Sequence, residues 1–132
     1  MNKEHKTERF YFDTNIWLDI AEKRGHRSEI AKALARKIIL ENSLIFYSHA
    51  VIMELRNIGY TQNGIYEIFN FAKPDNLRKL HITKEQTREA KKLAKRRDLP
   101  FCDTLYAILS RDYDAQLISR DKDFEKLKDI TR

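Results

Sequence analysis

The sequence predicts an α/β fold, a three-layer α/β/α sandwich with a central, mostly parallel sheet. Three observations predict it. Four short runs rich in β-branched and aromatic residues, at 9–13, 44–48, 77–82 and 115–119, alternate with helical segments. Strands separated by helices in this way form parallel sheets covered on both faces. The 132 residues carry no internal repeat, low-complexity tract or linker, so one domain over 1–132 is expected.

Each element has a local cause. Arg9-Phe10-Tyr11-Phe12-Asp13 is aromatic and extended in character, and Thr14-Asn15 leads into a helix carrying Ile16, Leu18 and Ile20. Gly25 is expected to end that helix. Ser28 then caps a second one, whose Ile30, Ala31, Leu34, Ala35, Ile38 and Ile39 recur at spacings of three and four. Leu44-Ile45-Phe46-Tyr47-Ser48 is the second strand, followed by a helix over 50–58. A helix over 62–72 should stop at Lys73-Pro74, because proline disfavours helical geometry in the residue before it. The third strand covers 77–82. Thr83-Lys84-Glu85-Gln86 fits a capping box, in which threonine and glutamine satisfy each other's unpaired N–H groups, and it opens a basic helix to Arg97. Pro100 suits the first turn of another helix through Leu105, Ala107, Ile108 and Leu109, since its missing N–H is not needed there. Residues 115–119 complete the set of strands.

Composition excludes several classes. With 35% charged and 42% hydrophobic residues the chain is neither disordered nor fibrous. One cysteine, Cys102, closes no intrachain disulfide and supplies no thiolate-rich zinc site, which points to a reducing, cytoplasmic compartment. No segment approaches the roughly 18 apolar residues of a membrane span, and Met1-Asn2-Lys3-Glu4-His5-Lys6 has no apolar signal core. The net charge of +6 is localised: from Lys73 to Asp98 ten basic residues face four acidic ones, and the rest of the chain is balanced.

In an open parallel sheet, ligands bind outside the carboxyl ends of the strands. Asp13 ends the first strand there and Asp121 follows the fourth. Glu54 lies within two turns of the second strand's end, and Asp103 is in the first turn of the helix at Pro100. Hard divalent cations take such oxygen ligands and keep several waters, while substrate phosphate supplies other ligands. The cation activates water and neutralises phosphodiester charge; without it the acids would repel the substrate. Each acid also has a plain alternative. Asp13 and Asp121 suit helix caps, Asp103 complements a helix dipole, and Glu54 suits a solvated helix face.

These residues resemble the PIN-domain nucleases, most closely their VapC-like toxin branch, over Phe10 to about Phe124. Phe12-Asp13-Thr14-Asn15-Ile16 is similar to the opening acid motif. Glu54 in Ala50-Val51-Ile52-Met53-Glu54-Leu55 matches the second acid and Asp103 in Pro100-Phe101-Cys102-Asp103-Thr104 the third. Ile118-Ser119-Arg120-Asp121-Lys122-Asp123-Phe124 resembles the fourth motif. The resemblance implies a Mg²⁺- or Mn²⁺-dependent endoribonuclease, a homodimer silenced by a cognate antitoxin. It implies that Asp13, Glu54, Asp103 and Asp121 hold metal directly or through water, and that Asn15 and Ser119 orient the first acid, a water or a phosphate oxygen. Asp123 is open between such a role and a cap. Only eleven residues follow Asp121, so the family's final strand must be short or missing.

Other chemistries fit poorly. His5, His26, His49 and His81 have no partner at metal-binding spacing, and only His49 lies near the strand ends. Cys102 has no identifiable histidine base, Ser48 and Ser119 lack a nucleophile-elbow context, and three glycines build no phosphate loop. Trp17, Ile20, Tyr66, Phe69 and Phe71 read as core or interface. On the basic helix Ala90, Leu93 and Ala94 face inward; Lys91, Lys92, Lys95 and Arg96 form either a solvated face or a phosphate-attracting shoulder for RNA. Two alternatives share the fold: a non-catalytic RNA-binding or assembly module, and a housekeeping RNA-maturation nuclease.

Overall fold

The structure, a computed structural model, describes residues 7–22, 25–72 and 74–131; Lys73 of the basic stretch, His5 and the opening segment 1–6 lie outside the described residues. Strands β1 (Arg9–Phe12), β2 (Leu44–Ser48), β3 (Leu77–Leu80) and β4 (Gln116–Ile118) form one sheet in the order β3-β2-β1-β4. All three pairings are parallel, so the mostly parallel sheet of the prediction is wholly parallel across these four strands. Phe10, Tyr11 and Phe12 are all buried because β1 is central and covered on both faces.

The strand order decides where a ligand can bind. Beyond β1 the chain adds β2 and β3 on one side, then returns to place β4 on the other. The β1/β4 boundary is therefore a topological switch point, with a crevice at the strands' carboxyl ends. Helices α1 (Thr14–Ala21), α2 (His26–Leu40), α3 (His49–Ile58) and α4 (Gln62–Phe69) belong to the β1-to-β3 crossovers. Helices α5 (Lys84–Arg97) and α6 (Phe101–Asp112) pair with each other in the return to β4. Right-handed crossovers running in opposite directions put these two groups on opposite faces of the sheet.

Several boundaries differ from expectation. The first helix ends at Ala21, with Glu22 extended, and Gly25 instead precedes α2. Its φ of 64° is open to glycine at little cost, so α2 starts ahead of Ser28, which is buried in the first turn and caps nothing. Helix α3 begins at His49, one residue early. Helix α4 ends at Phe69, and the turn through residues 70–72 leads to a short 3₁₀ segment, Pro74–Asn76. Strand β3 stops at Leu80, leaving 81–83 to enter the capping box. There Thr83 Oγ1 accepts from Gln86 N at 3.0 Å and Gln86 Oε1 accepts from Thr83 N at 2.9 Å. Pro100 is the cap residue of α6 and not its first turn. A 3₁₀ turn, Lys122–Leu127, follows β4, and no further strand occurs among the described residues.

The core centres on Trp17, Tyr11, Phe12, Ile45, Leu55 and Ile108, all fully buried, with the Trp17 ring edge-on to Phe69 at 4.8 Å. Ile20 and Phe69 are buried as expected, Phe71 is half-buried, and Tyr66 is 57% exposed and outside the core. On α5, Ala90, Leu93 and Ala94 are buried, while Lys91, Lys92, Lys95 and Arg96 are exposed.

Candidate active site

Asp13 leaves the end of β1 and caps α1, and both its carboxylate oxygens are engaged. Oδ1 accepts from Ile16 N at 3.1 Å, and Oδ2 accepts from the Ser119 hydroxyl at 2.5 Å. Ser119 Oγ in turn accepts from Asp121 N at 2.9 Å, and Asp121 Oδ1 accepts from Asp123 N at 3.0 Å. A short chain of bonds thus joins the ends of β1 and β4 across the switch point. The cap and the site are the same residue at Asp13 and again at Asp121, because a carboxylate oxygen has lone pairs beyond the one an N–H uses.

Glu54 reaches the site from α3 and is held by two hydroxyls. Thr14 Oγ1 donates to its Oε1 at 2.6 Å, and the Tyr106 hydroxyl donates to the same oxygen. The two hydroxyl oxygens also lie 3.0 Å apart, within hydrogen-bond distance of each other. Burial, then Tyr11 and Glu54, push the Tyr106 phenol far above its ordinary value, so it stays protonated as a donor. Tyr106→Phe is expected to cost about 1.5–3 kcal/mol, the range for a lost bond to a carboxylate, measured by urea unfolding. A stability equal to wild type would show that Thr14 alone holds Glu54.

Asp103, in the first turn of α6, completes the cluster. Asp103, Asp121 and Asp123 are half-buried, and each offers a carboxylate oxygen within 4.8 Å of the others'. Asp13 and Glu54 lie outside this group of three. Burial first, then Asp121, Asp13, Asp123 and Glu54, push Asp103 from an ordinary 3.8 up to about 7. Asp13 rises to about 6, chiefly by burial, against the lowering effect of the Ser119 and Ile16 bonds. A cluster built only from carboxylate oxygens, in which Asp103 and Asp13 resist ionisation, suits a hard divalent cation such as Mg²⁺ or Mn²⁺. Burial, Glu54 and Asp103 push the Cys102 thiol up to about 11, which leaves no thiolate nucleophile at neutral pH.

The structure thus brings Asp13, Asp103, Asp121 and Ser119 to one crevice, with Glu54 behind them. Asp123 supplies a carboxylate as well as the N–H capped by Asp121. Asn15 is half-buried in the first turn of α1, and its side chain makes no hydrogen bond among the described residues. His49 is exposed at the start of α3. Sequence reasoning missed Thr14 and Tyr106 as holders of Glu54. Tyr106 sits three residues after Asp103 on the same helical face, a spacing that contained the signal. It also missed Arg120, whose guanidinium donates to both oxygens of buried Asp19 at 2.9 and 3.2 Å, anchoring the loop that carries Ser119 and Asp121.

Comparison with known proteins bears on this geometry. The sequence model of the family described as the PIN domain matches residues 10–130. Among solved structures the chain is similar to VapC20 of Mycobacterium tuberculosis, described as a sarcin-ricin loop cleaving toxin. The identity is 19%, the TM-score 0.72, and the match covers 89% of this chain and 94% of that one. It is similar also to VapBC2 of Rickettsia felis, bound to a DNA fragment from its promoter, at 16% identity and TM-score 0.65, covering 93% and 96%. FitAcB of Neisseria gonorrhoeae follows at 16% identity and TM-score 0.62, covering 92% and 94%. At such identities the likeness shows the fold. No curated protein matches the chain in sequence.

Proposed function

Because the chain belongs to the PIN-domain family, we propose that it is an endoribonuclease that hydrolyses RNA phosphodiester bonds with Mg²⁺ or Mn²⁺, and that it is the toxin of a toxin–antitoxin pair. The observation that carries this reading is the half-buried carboxylate trio at the switch point, Asp103, Asp121 and Asp123. These three would hold the cation, with Asp13 and Glu54 joining directly or through water. A cation bound there supplies positive charge to the scissile phosphate and its leaving oxygen and lowers the pKa of an attacking water.

The protein's own residues do the positioning. Ser119 fixes the rotation of the Asp13 carboxylate, and the paired hydroxyls of Thr14 and Tyr106 hold Glu54 by Oε1, leaving Oε2 to face a ligand or water. Asn15 would contribute to orienting water or phosphate. No covalent nucleophile is needed. The toxin reading draws support from the resemblance in fold to VapC20 and VapBC2. With it come a cognate antitoxin, a homodimer, one domain over the chain and a cytoplasmic setting; no helix among the described residues is long and apolar enough to cross a membrane. The test is cleavage of structured RNA with Mn²⁺ by wild type and by Asp13→Asn. Wild type should cut and the variant should not, whereas equal cleavage by both would refute the assignment.

A further inference from the structure

Lys122 and Lys128 have no part in the site described above. Both are exposed, make no ion pair among the described residues, and line an open groove with Ser119, Arg120, Asp121 and Phe124. The groove encloses about 550 Å³, and Asp121 joins it to the carboxylate cluster. Its cations are not equivalent. Arg120 is committed to buried Asp19, whereas the ammonium groups of Lys122 and Lys128 are available to a ligand. Glu125 is the one acid besides Asp121 along its walls.

The groove also connects to the basic helix. Arg97, at the end of α5, donates to the Lys126 carbonyl at 2.9 Å and to both oxygens of Asp129 at 2.8 and 2.7 Å. That clamp sets the last turn of α5, with exposed Lys95 and Arg96, beside the segment that carries Lys128. Positive groups therefore extend from the acid cluster to the C-terminal end of α5.

We infer that a single RNA strand leaves the acid cluster through this groove, its backbone phosphates on Lys122 and Lys128, and continues to Lys95 and Arg96. The inference rests on the nuclease reading. The volume lies within the range of small-ligand cavities, a size that suits one unpaired nucleotide. Lysines on flexible stems bind phosphate as point charges without reading bases, so the groove sets path and affinity, not sequence.

The test measures binding of a labelled unstructured RNA by fluorescence anisotropy over a salt series, in an Asp103→Asn background that does not cut. Lys122→Ala/Lys128→Ala should flatten the slope of log Kd against log salt by about 1.4, two phosphates at about 0.7 each on a single strand. Glu125→Lys should steepen the slope and tighten binding. With the acids intact, the double variant should raise KM and leave kcat unchanged, as loss of uniform binding does. An unchanged slope and Kd in the double variant, with loss confined to Lys91→Ala/Lys92→Ala, sends the strand along the outer face of α5 and overturns the inference. If wild type cuts RNA with Mn²⁺ but is indifferent to the groove variants, this inference alone fails. If wild type neither cuts nor binds RNA, the nuclease reading fails and takes the inference with it.

Discussion

Asp103→Asn is expected to lower RNA cleavage by more than about 100-fold and, in the same protein without metal, to raise its melting temperature at pH 8. The activity loss follows from the metal-holding role proposed for Asp103, since changing even the groups behind metal ligands costs about 10–100-fold. The stability gain has the opposite sign because the folded chain opposes ionisation of this group. Burial and the neighbouring acids push Asp103 up to about 7, so its charged form at pH 8 is less stable folded than unfolded. Asparagine removes that penalty while keeping the shape. For a half-exposed carboxyl screened by solvent the gain is about 1–2 kcal/mol, or several degrees. A variant that cuts like wild type, or that melts below it at pH 8, would contradict this account.

The second large effect is the pH dependence of the metal-free wild type. Asp13 and Asp103 hold protons up to about 6 and about 7, against an ordinary value of 3.8. Between these limits the folded state binds more protons than the unfolded one, so stability falls as pH rises from about 4 to about 7 and levels off above. Below about 4 both states are protonated and the two residues contribute nothing. The exposed pairs Glu89–Arg111 and Arg97–Asp129 do not mask the trend: their acids titrate below the ordinary range, so the stability they add is complete above about pH 5. Divalent cation should reverse the loss, adding about 2.7 kcal/mol at pH 8 when present at 100 times its Kd. The protection should fade by about pH 5, where protons hold the carboxyls. Fluorescence of Trp17, the chain's one tryptophan and buried on the helix that Asp13 caps, can follow melting with EDTA or Mn²⁺. A metal-free melting temperature that stays flat or climbs from pH 5 to 8 would sink this account.

The local elements were legible because their causes are local. The aromatic run at Phe10-Tyr11-Phe12, the Thr83–Gln86 capping box and the inward Ala90, Leu93 and Ala94 each act within a few residues. Boundaries misread, such as Ser28 and Pro100, lie where one backbone angle or one residue's offset separates two plausible caps. Of the acids, the sequence by itself determined that Asp13 and Asp121 lie at the carboxyl edge of the sheet, since a residue that closely follows a strand lies at that edge whatever the strand order, whereas Glu54 and Asp103 sit on helices whose packing brings them there.

Only the tertiary structure decided which side chains meet. Asp103 and Asp121 come together with Asp123 because β4 pairs with β1 and not with β3, an order that no local pattern encodes. Glu54 is turned to Thr14 and Tyr106, residues 40 and 52 positions away, and Asp19 finds Arg120 at a separation of 101. Contacts of that span depend on how two helical layers pack over one sheet. Spacing along the chain places an acid at an edge; only packing chooses its partners and, through burial, its affinity for a proton.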